Sequence, residues 1–146
     1  MKFYPLKIKD IRKETADCVS VAFDFEPEFA FQQGQYLTLK TVIKGAELRR
    51  SYSICSAPTD NELRVAIKKV KDGRASTYIN DSLKVGDTVE VMVPMGNFFT
   101  EMNAANKKNY ILFGGGSGIT PMLSILKTVL YLEPQSRVTL FYGNNI

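Results

Sequence analysis

The spacing of apolar residues in this 146-residue chain changes once, near residue 105, and that change constrains the fold more than any other feature. Before it, short segments alternate apolar and polar residues, as in Val19 to Phe25, which predicts a half-buried β-strand. Five more segments have a strand-like composition: LKIKDIRK near the start, YLTLKTVI from Tyr36, RSYSICS from Arg50, LRVAIKKV from Leu63 and TVEVMV from Thr88. Six short strands predict an antiparallel Greek-key β-barrel.

One short helix interrupts the predicted strands. Ser76 is a suitable N-cap residue, and the helix is expected to end near Leu83, before the turn Val85-Gly86-Asp87. We expect this helix to cap one end of the barrel.

After residue 101 the pattern is that of an α/β protein. The polar stretch MNAANKKN is followed by the apolar strand Tyr110 to Phe113, which leads into three glycines. A helix is expected from Thr120 as N-cap, with Pro121 in its first position, to about Leu132. A second strand from Arg137 to Tyr142 completes a β-α-β unit with parallel strands.

These patterns predict two modules, a barrel over residues 1–101 and the start of an α/β dinucleotide-binding domain over residues 108–146. A two-stranded parallel sheet with one helix leaves much of its apolar surface uncovered. We therefore expect the chain to be a fragment of a longer protein.

The composition excludes several kinds of catalysis. The chain has no histidine, which excludes Ser-His-Asp and Cys-His nucleophilic catalysis and zinc sites with imidazole ligands. Its two cysteines, Cys18 and Cys55, are expected to be small buried apolar residues, and they are too few to hold a plant-type [2Fe–2S] cluster. No metal site is predicted, and an enzyme of this composition must take its reactivity from an organic cofactor.

The charge and hydropathy patterns exclude further classes. The net charge is +4, and the lysines and arginines are scattered, which is not typical of nucleic-acid binding. No run of about 18 apolar residues predicts a membrane span. The N-terminal sequence MKFYPLKIKDIRKE lacks the apolar core of a secretory signal, so we expect a cytoplasmic protein.

The glycine run between strand and helix, Gly114 to Pro121, is the first candidate binding motif. Glycines at this position let a pyrophosphate approach backbone N–H groups at the positive end of a helix. The run does not match the G-x-G-x-x-G fingerprint, because proline occupies the last place. A tight turn without a ligand is the alternative interpretation.

Two more segments are candidate binding motifs. On an extended strand Arg50 and Tyr52 share one face, which offers a phosphate donor beside an aromatic ring; the alternative is an exposed arginine and a core tyrosine. Residues 72–77, DGRAST, place a turn before a helix N-terminus, which favours an anion site; the alternative is an ordinary capped helix.

In this order the three motifs resemble those of the ferredoxin–NADP reductase superfamily. Its Arg-x-Tyr-Ser, Gly-x-x-Ser and Gly-x-Gly-x-x-Pro motifs correspond to Arg50–Ser53, Gly73–Ser76 and Gly116–Pro121. The stretches RRSYSICSAP, PMGNFF and GGGSGITPMLSIL are most similar to reductase components of phenylacetyl-CoA monooxygenase (epoxidase) systems.

The resemblance implies a role for each segment. Arg50 binds the FAD pyrophosphate, Tyr52 packs against the isoalloxazine and Ser53 forms a hydrogen bond near the flavin N5. The other implied FAD contacts are Ser51, Ile67, Lys68, Gly73, Arg74, Ala75, Ser76 and Thr77. The implied NAD(P)H contacts are Gly115, Gly116, Ser117, Gly118, Thr120 and Pro121. The catalytic set is Tyr52, Ser53 and Thr120.

Strand alternation sends Ser53 to the opposite face from Tyr52. If both are to contact one flavin ring, the strand must bend or contain a bulge. No sequence feature indicates such a bulge.

The function that the resemblance implies is electron transfer. NAD(P)H gives a hydride to FAD, and the electrons pass to an iron–sulfur centre and an oxygenase component in phenylacetate degradation. The [2Fe–2S] cluster is then carried on a C-terminal segment outside these residues. A reductase for a ring-hydroxylating oxygenase or for a small ferredoxin or flavodoxin is the enzymatic alternative, and a non-catalytic barrel that binds a partner is the alternative of another class. The choice between NADH and NADPH and the oligomeric state stay open.

Overall fold

The structure, a computed structural model that describes residues 2–145, places all six predicted barrel strands in one antiparallel sheet. The strands are β1 (Tyr4–Thr15), β2 (Cys18–Phe23), β3 (Tyr36–Ile43), β4 (Ala46–Ser53), β5 (Leu63–Lys68) and β6 (Thr88–Val91). Their order, β4-β3-β6-β1-β2-β5, brings strands that are distant in sequence side by side, as in a Greek key. The predicted barrel is confirmed.

The two edge strands of this sheet, β4 and β5, meet just after β4 ends. Ile54 pairs with Val65 in an isolated antiparallel bridge, and the Cys55 N–H donates to the Arg64 carbonyl at 2.9 Å. These contacts close the sheet into a barrel. Its core is formed mainly by inward side chains of β2, β3 and β5: Val19, Val21, Phe23, Leu37, Leu39, Leu63, Val65 and Ile67.

The prediction that β2 is half-buried is wrong. All residues from Val19 to Phe23 are buried, including Ser20 on the outer face. The side chain of Arg64 lies across that face and donates to Ser20 Oγ at 2.7 Å. The strand also ends at Phe23, whereas it was predicted to reach Phe25. Phe25 follows the strand and is a partly buried residue that packs against the barrel core.

The first helix, α1 (Arg74–Ser82), begins earlier than predicted. Gly73 is its N-cap, whereas Ser76 lies buried inside the first turn and accepts a hydrogen bond from the Val70 N–H at 3.0 Å. Ser76 therefore binds the preceding loop and does not cap the helix. The helix places Ile79 in the barrel core, as expected of a capping helix.

The second sheet contains two parallel strands, β7 (Asn109–Gly115) and β8 (Arg137–Gly143), which α2 (Ile119–Leu132) connects. The β-α-β prediction is confirmed, but α2 begins at Ile119 with Gly118 as N-cap. Thr120 and Pro121 are thus its second and third residues. Residues 116–118 form a 3₁₀ turn before the helix. Thr120 Oγ1 donates a hydrogen bond to the Ser117 carbonyl at 3.1 Å, whereas the hydroxyl of an N-cap residue would accept one from a backbone N–H. Thr120 is therefore not the N-cap.

Polar residues take part in the buried face of α2. Ser124 and Thr128 are buried together with Met122, Ile125 and Val129, whereas Leu130 is 56% exposed. The apolar side chains of this helix are therefore only partly covered. No helix among residues 2–145 is long and apolar enough to cross a membrane.

A second, smaller core forms between α2 and its sheet, from Leu112, Met122, Ile125 and Val129. The segment between the two cores follows an irregular path that contains no helix or strand from residue 92 to residue 108. The domain boundary at residues 101–108 stays a prediction.

The connection to the second module is organised by one buried carboxylate, Glu133, at the end of α2. Its two oxygens accept hydrogen bonds from the Asn103 N–H at 3.1 Å and from Asn106 Nδ2, Tyr110 OH and Ser136 Oγ at 2.8 Å each. Burial alone would raise the pKa of Glu133, but the four donors outweigh it and lower the pKa to about 2. Glu133 therefore stays ionised and ties the connecting segment to α2.

The substitution Glu133→Gln is expected to destabilise the fold by about 2 kcal/mol. The four groups that donate hydrogen bonds to the carboxylate would then meet a neutral amide, which has only one accepting oxygen. The pKa in the folded chain lies below the usual value of 4.5. The stabilisation is therefore full above that pH and is lost as the pH falls toward about 2. Urea unfolding of both proteins between pH 7 and pH 3 measures the difference, with the exposed Glu101→Gln as control. A pH-independent difference would contradict this assignment.

Candidate functional site

A cleft of about 680 Å³ lies between the outer face of the barrel and the loop that precedes α2. The barrel side comes from β1, β2 and β5 and the segment after β4, and includes Arg12, Cys18, Ser20, Cys55, Arg64, Ala66 and Lys68. The other side comes from the glycine loop, the start of α2 and the end of β8, and includes Gly116, Ser117, Ile119, Thr120, Leu123 and Tyr142. The cleft thus brings predicted site residues of both modules, Lys68 and Thr120 among them, around one space.

The glycine loop offers backbone donors to this cleft. Gly116 has a φ of +54°, and a Cβ atom added there or at Gly118 would meet nothing within 4 Å. No side chain of the described residues caps the start of α2. The Ile119 N–H already donates to the Gly116 and Ser117 carbonyls, and Pro121 has no N–H, so few N–H groups of the first turn are left for a ligand. Tyr142 OH fixes the loop by donating to the Gly116 carbonyl at 2.7 Å. An open, uncapped helix start of this kind fits a phosphate group.

The Arg-x-Tyr-Ser segment occupies the end of β4. Arg50 and Ser51 are exposed, whereas Tyr52 and Ser53 are half-buried. The Tyr52 ring packs against the barrel core, and burial raises the pKa of its phenol despite the lowering effect of nearby Arg50. Tyr52 is therefore a fixed, neutral aromatic surface with a cation beside it.

The expected bulge between Tyr52 and Ser53 is not present. The pairing of β3 with β4 is continuous from Tyr36↔Ser53 to Ile43↔Ala46. The strand ends instead at Ser53, after which Ile54 pairs with Val65 of β5. The chain changes direction only after Ser53, at the closure of the barrel, so Tyr52 and Ser53 keep opposite faces of the ladder.

The start of α1 forms a second open helix terminus. A Cβ atom at Gly73 would lie 2.6 Å from Ser76 Oγ and 3.0 Å from the Val70 carbonyl, so only glycine fits this turn without displacing a neighbour. No side chain of the residues that the structure covers caps this helix. Arg74 and Thr77 follow on its first turn, where backbone N–H groups and a hydroxyl can meet an anion.

Asn80 connects α1 to the β5 segment that was predicted to line the flavin. Its Nδ2 donates to the Ile67 carbonyl at 3.0 Å and to the Ser76 carbonyl at 2.9 Å. The structure thus brings Ile67, Ala75 and Ser76 together beside the barrel, with Ala75 and Ser76 buried. The sequence contained no signal for this contact, because an asparagine on a short helix is usually exposed.

A buried cation forms part of the cleft wall and was not predicted. The guanidinium of Arg64 donates to Ser20 Oγ, to Glu62 Oε1 at 3.0 Å and to Asp10 Oδ2. Burial lowers the pKa of Arg64, but the hydrogen bonds and charges of Glu62 and Asp10 raise it above its usual value. The sequence gave no sign that Arg64 is buried, because a charged residue on a β-strand is usually exposed to solvent.

The prediction that the two cysteines are buried is wrong, because both are half-buried and line the cleft. Burial raises the pKa of the Cys55 thiol to about 11 and also raises that of Cys18. Both are therefore protonated thiols at neutral pH and poor nucleophiles. Among residues 2–145 no group of three or more His, Cys, Asp or Glu side chains could hold a metal ion.

Comparison with known proteins agrees with this geometry. The family of oxidoreductase FAD-binding domains matches residues 5–100, and that of oxidoreductase NAD-binding domains matches residues 112–146. One component of 1,2-phenylacetyl-CoA epoxidase from Escherichia coli (strain K12) is 42% identical over 97% of this chain and 41% of that protein. The ferredoxin reductase component of 3-ketosteroid-9-alpha-monooxygenase from Rhodococcus rhodochrous is 36% identical over 95% of this chain and 40% of that protein.

A solved structure, that of phthalate dioxygenase reductase, superposes with a TM-score of 0.77 and 34% identity over 99% of this chain and 44% of the other. The chain spans about two fifths of the length of the curated relatives described above. The barrel corresponds to the FAD-binding domain, and the β-α-β unit with its glycine loop corresponds to the NAD-binding sequence. More particularly, the chain belongs to the family of oxidoreductase FAD-binding domains, and oxidoreductase NAD-binding sequence follows the barrel.

The two open helix termini also differ in how much space surrounds their glycines. We expect Gly73→Ala to destabilise the fold by about 1 to 3 kcal/mol, because the new methyl group must displace Ser76 Oγ or the backbone of Val70. Gly118→Ala, at a φ of −62° and in open space, is expected to change stability by less than about 1 kcal/mol. Urea unfolding of the two variants measures both values, and equal effects would contradict the tight turn at Gly73.

Proposed function

We propose that this chain is part of the reductase component of an oxygenase that acts on phenylacetyl-CoA. In such a protein bound FAD accepts a hydride from NAD(P)H and releases the electrons one at a time. The observation that carries the proposal is the cleft itself, in which β5 of the FAD-binding barrel faces the glycine loop of the second module. The substrate class rests on the similarity to the epoxidase component.

The end of β4 would hold the flavin. Tyr52 presents a ring whose position is fixed by the barrel core, and Arg50 offers an exposed guanidinium beside it for the pyrophosphate. Ser53, at the point where the strand ends, would donate to the flavin near N5. Ser51 is bonded to Thr38 across the ladder at 2.8 Å, which favours a supporting role for its side chain.

The start of α1 would bind the pyrophosphate through backbone N–H groups. Gly73 lets the loop turn tightly, and the open first turn offers N–H groups that no side chain of the described residues caps. The residues proposed for this part of the site are Gly73, Arg74, Ala75, Ser76 and Thr77. The backbone of Ile67 and Lys68 would line the flavin from β5.

The second module would hold the nicotinamide dinucleotide across the cleft. The proposed residues are Gly115, Gly116, Ser117, Gly118, Thr120 and Pro121. Thr120 lines the cleft opposite Lys68, so its position suits contact with the nicotinamide ring. The reaction then requires alignment of two rings and exclusion of water, and no side chain need act as a general base.

Electron delivery would involve an oxygenase component or a small iron–sulfur carrier. A [2Fe–2S] cluster would be carried on a segment outside these residues, because the chain has only two cysteines. A reductase for a ring-hydroxylating oxygenase is the second candidate, and the likeness to phthalate dioxygenase reductase favours it. The cytoplasmic location stays a prediction.

The visible absorption spectrum of the purified chain, before and after addition of FAD, tests the first step of this proposal. We expect flavin bands that stay with the protein on gel filtration, because both anchors for FAD lie within residues 50–77. FAD should be the nucleotide released on denaturation. A colourless protein that does not take up FAD would contradict the flavin site, even though the barrel fold would stand.

Arg50→Ala is expected to weaken FAD binding by about 1.5 to 3 kcal/mol, the range of one charge-assisted hydrogen bond. Arg49→Ala is the matched control, since Arg49 is the neighbouring residue on the opposite face and is bonded to Glu47 at 3.0 Å. Fluorescence titration of the apoprotein with FAD measures both affinities. If the two variants bind FAD equally well, Arg50 does not contact the pyrophosphate.

A further inference from the structure

One buried hydrogen bond joins the two modules directly. Ser124 Oγ, on α2, donates to the carbonyl of Ser56 at 2.6 Å, and both residues are buried. They are 68 positions apart in the sequence. The bond links the helix that carries the glycine loop to the segment that follows Ser53.

The Ser56 end of this bond is held firmly. Ser56 Oγ donates to the Glu62 carbonyl at 2.7 Å and accepts from the Arg64 N–H at 3.0 Å. The adjacent Cys55 N–H donates to the Arg64 carbonyl at 2.9 Å. The Ser56 carbonyl is therefore a fixed point on the barrel, three residues after Ser53.

The Ser124 end is coupled rigidly to the glycine loop. The side-chain hydrogen bonds that fix the loop stay within its own module, from Thr120 to the Ser117 carbonyl and from Tyr142 to the Gly116 carbonyl. Ser124 lies one helical turn after Thr120, about 6 Å along the axis. A helix transmits a shift at Ser124 to the loop without absorbing it.

A second contact between the same two elements lies at the surface. Lys127 Nζ, almost one turn beyond Ser124, forms an ion pair with Asp60. The two side chains are 48% and 29% exposed, so the pair adds little to stability. It nevertheless restrains rotation of α2 about the Ser124 bond, because it fixes a second point on the helix.

We propose that Ser124, assisted by Lys127, is a positioning residue for hydride transfer. Its bond to Ser56 sets the distance between the glycine loop, which would hold the nicotinamide, and the end of β4, which would hold the flavin. This inference rests on the function proposed above. Hydride transfer requires reacting atoms about 3 to 3.5 Å apart, and a misplacement of about 1 Å can lower the rate about 100-fold.

The test compares two buried hydroxyl groups on one face of α2. Ser124→Ala removes the bond between the modules, whereas Thr128→Val removes a hydroxyl that donates at 2.6 Å to the Ser124 carbonyl within the helix. With the FAD-loaded protein and NADH, stopped-flow absorbance gives the limiting rate of flavin reduction. We expect Ser124→Ala to lower that rate about 10- to 100-fold with an unchanged half-saturating NADH concentration, and Thr128→Val to leave both unchanged. Equal rates in the two variants would overturn the proposal.

A thiol measurement tests the same bond without cofactors. Cys55 lies between Ser53 and Ser56 and its thiol is half-buried, so a looser attachment of α2 at Ser56 exposes it further and speeds its alkylation by iodoacetamide. In a Cys18→Ser background, Ser124→Ala should speed this alkylation about fivefold, the effect of losing one neutral hydrogen bond. Thr128→Val should not. Equal labelling of the two variants would overturn the proposal.

The two assays separate failure of this inference from failure of the proposed function. If NADH does not reduce the flavin of the wild-type chain, the function fails, and the alkylation rates alone decide whether Ser124 fastens the modules. If Ser124→Ala does not fold, the variant Lys127→Met is tested in its place. The Lys127 side chain is half-exposed, so its replacement is expected to leave the fold intact. A flavin reduction slower by about two- to fivefold would then support the proposal, and an unchanged rate would overturn it.

Discussion

Between Ile54 and Val65 the two edges of the barrel sheet meet, and the geometry of the site depends on this contact. It closes the barrel immediately after the Arg-x-Tyr-Ser segment and turns the chain away from β4. The same turn carries Cys55 into the cleft wall and presents the Ser56 carbonyl to α2. Barrel closure, the end of β4 and the attachment of the second module therefore all depend on one short, mostly buried segment, residues 54–57.

Backbone N–H groups, more than side chains, are the groups of this structure that are suited to bind a phosphate. The chain has no histidine, and its two thiols have raised pKa values, so its side chains supply little nucleophilic or general-base chemistry. What it supplies is two uncapped helix starts, at Gly73 and Gly118, on opposite modules. Each can stabilise a phosphate through N–H groups and the helix dipole. Such a fold suits a reaction in which bound cofactors carry the chemistry and the protein controls their position.

The sequence predicted the strands and the presence of both helices well, because these depend on neighbours within a few residues. It failed where distant residues decide the outcome. The burial of Ser20 depends on Arg64, which is 44 positions away, and the role of Ser124 depends on a carbonyl 68 positions away. Ser76 matched the pattern of an N-cap, but the loop at Val70 uses its hydroxyl. The family resemblance supplied the proposed site residues, whereas only the fold shows which of them share the cleft.

Polar contacts hold the segment that connects the two modules at both of its ends. On the barrel side Gln33 is buried and donates to the Thr100 carbonyl at 2.7 Å, and a Cβ atom at Gly34 would lie 1.8 Å from the Phe98 carbonyl. On the other side Glu133 gathers four donors. Apolar contacts tolerate sliding, because their energy depends on area and hardly on direction. Hydrogen bonds require defined distances and angles, so these contacts fix the path of the connecting segment, as the proposed alignment of two rings would require.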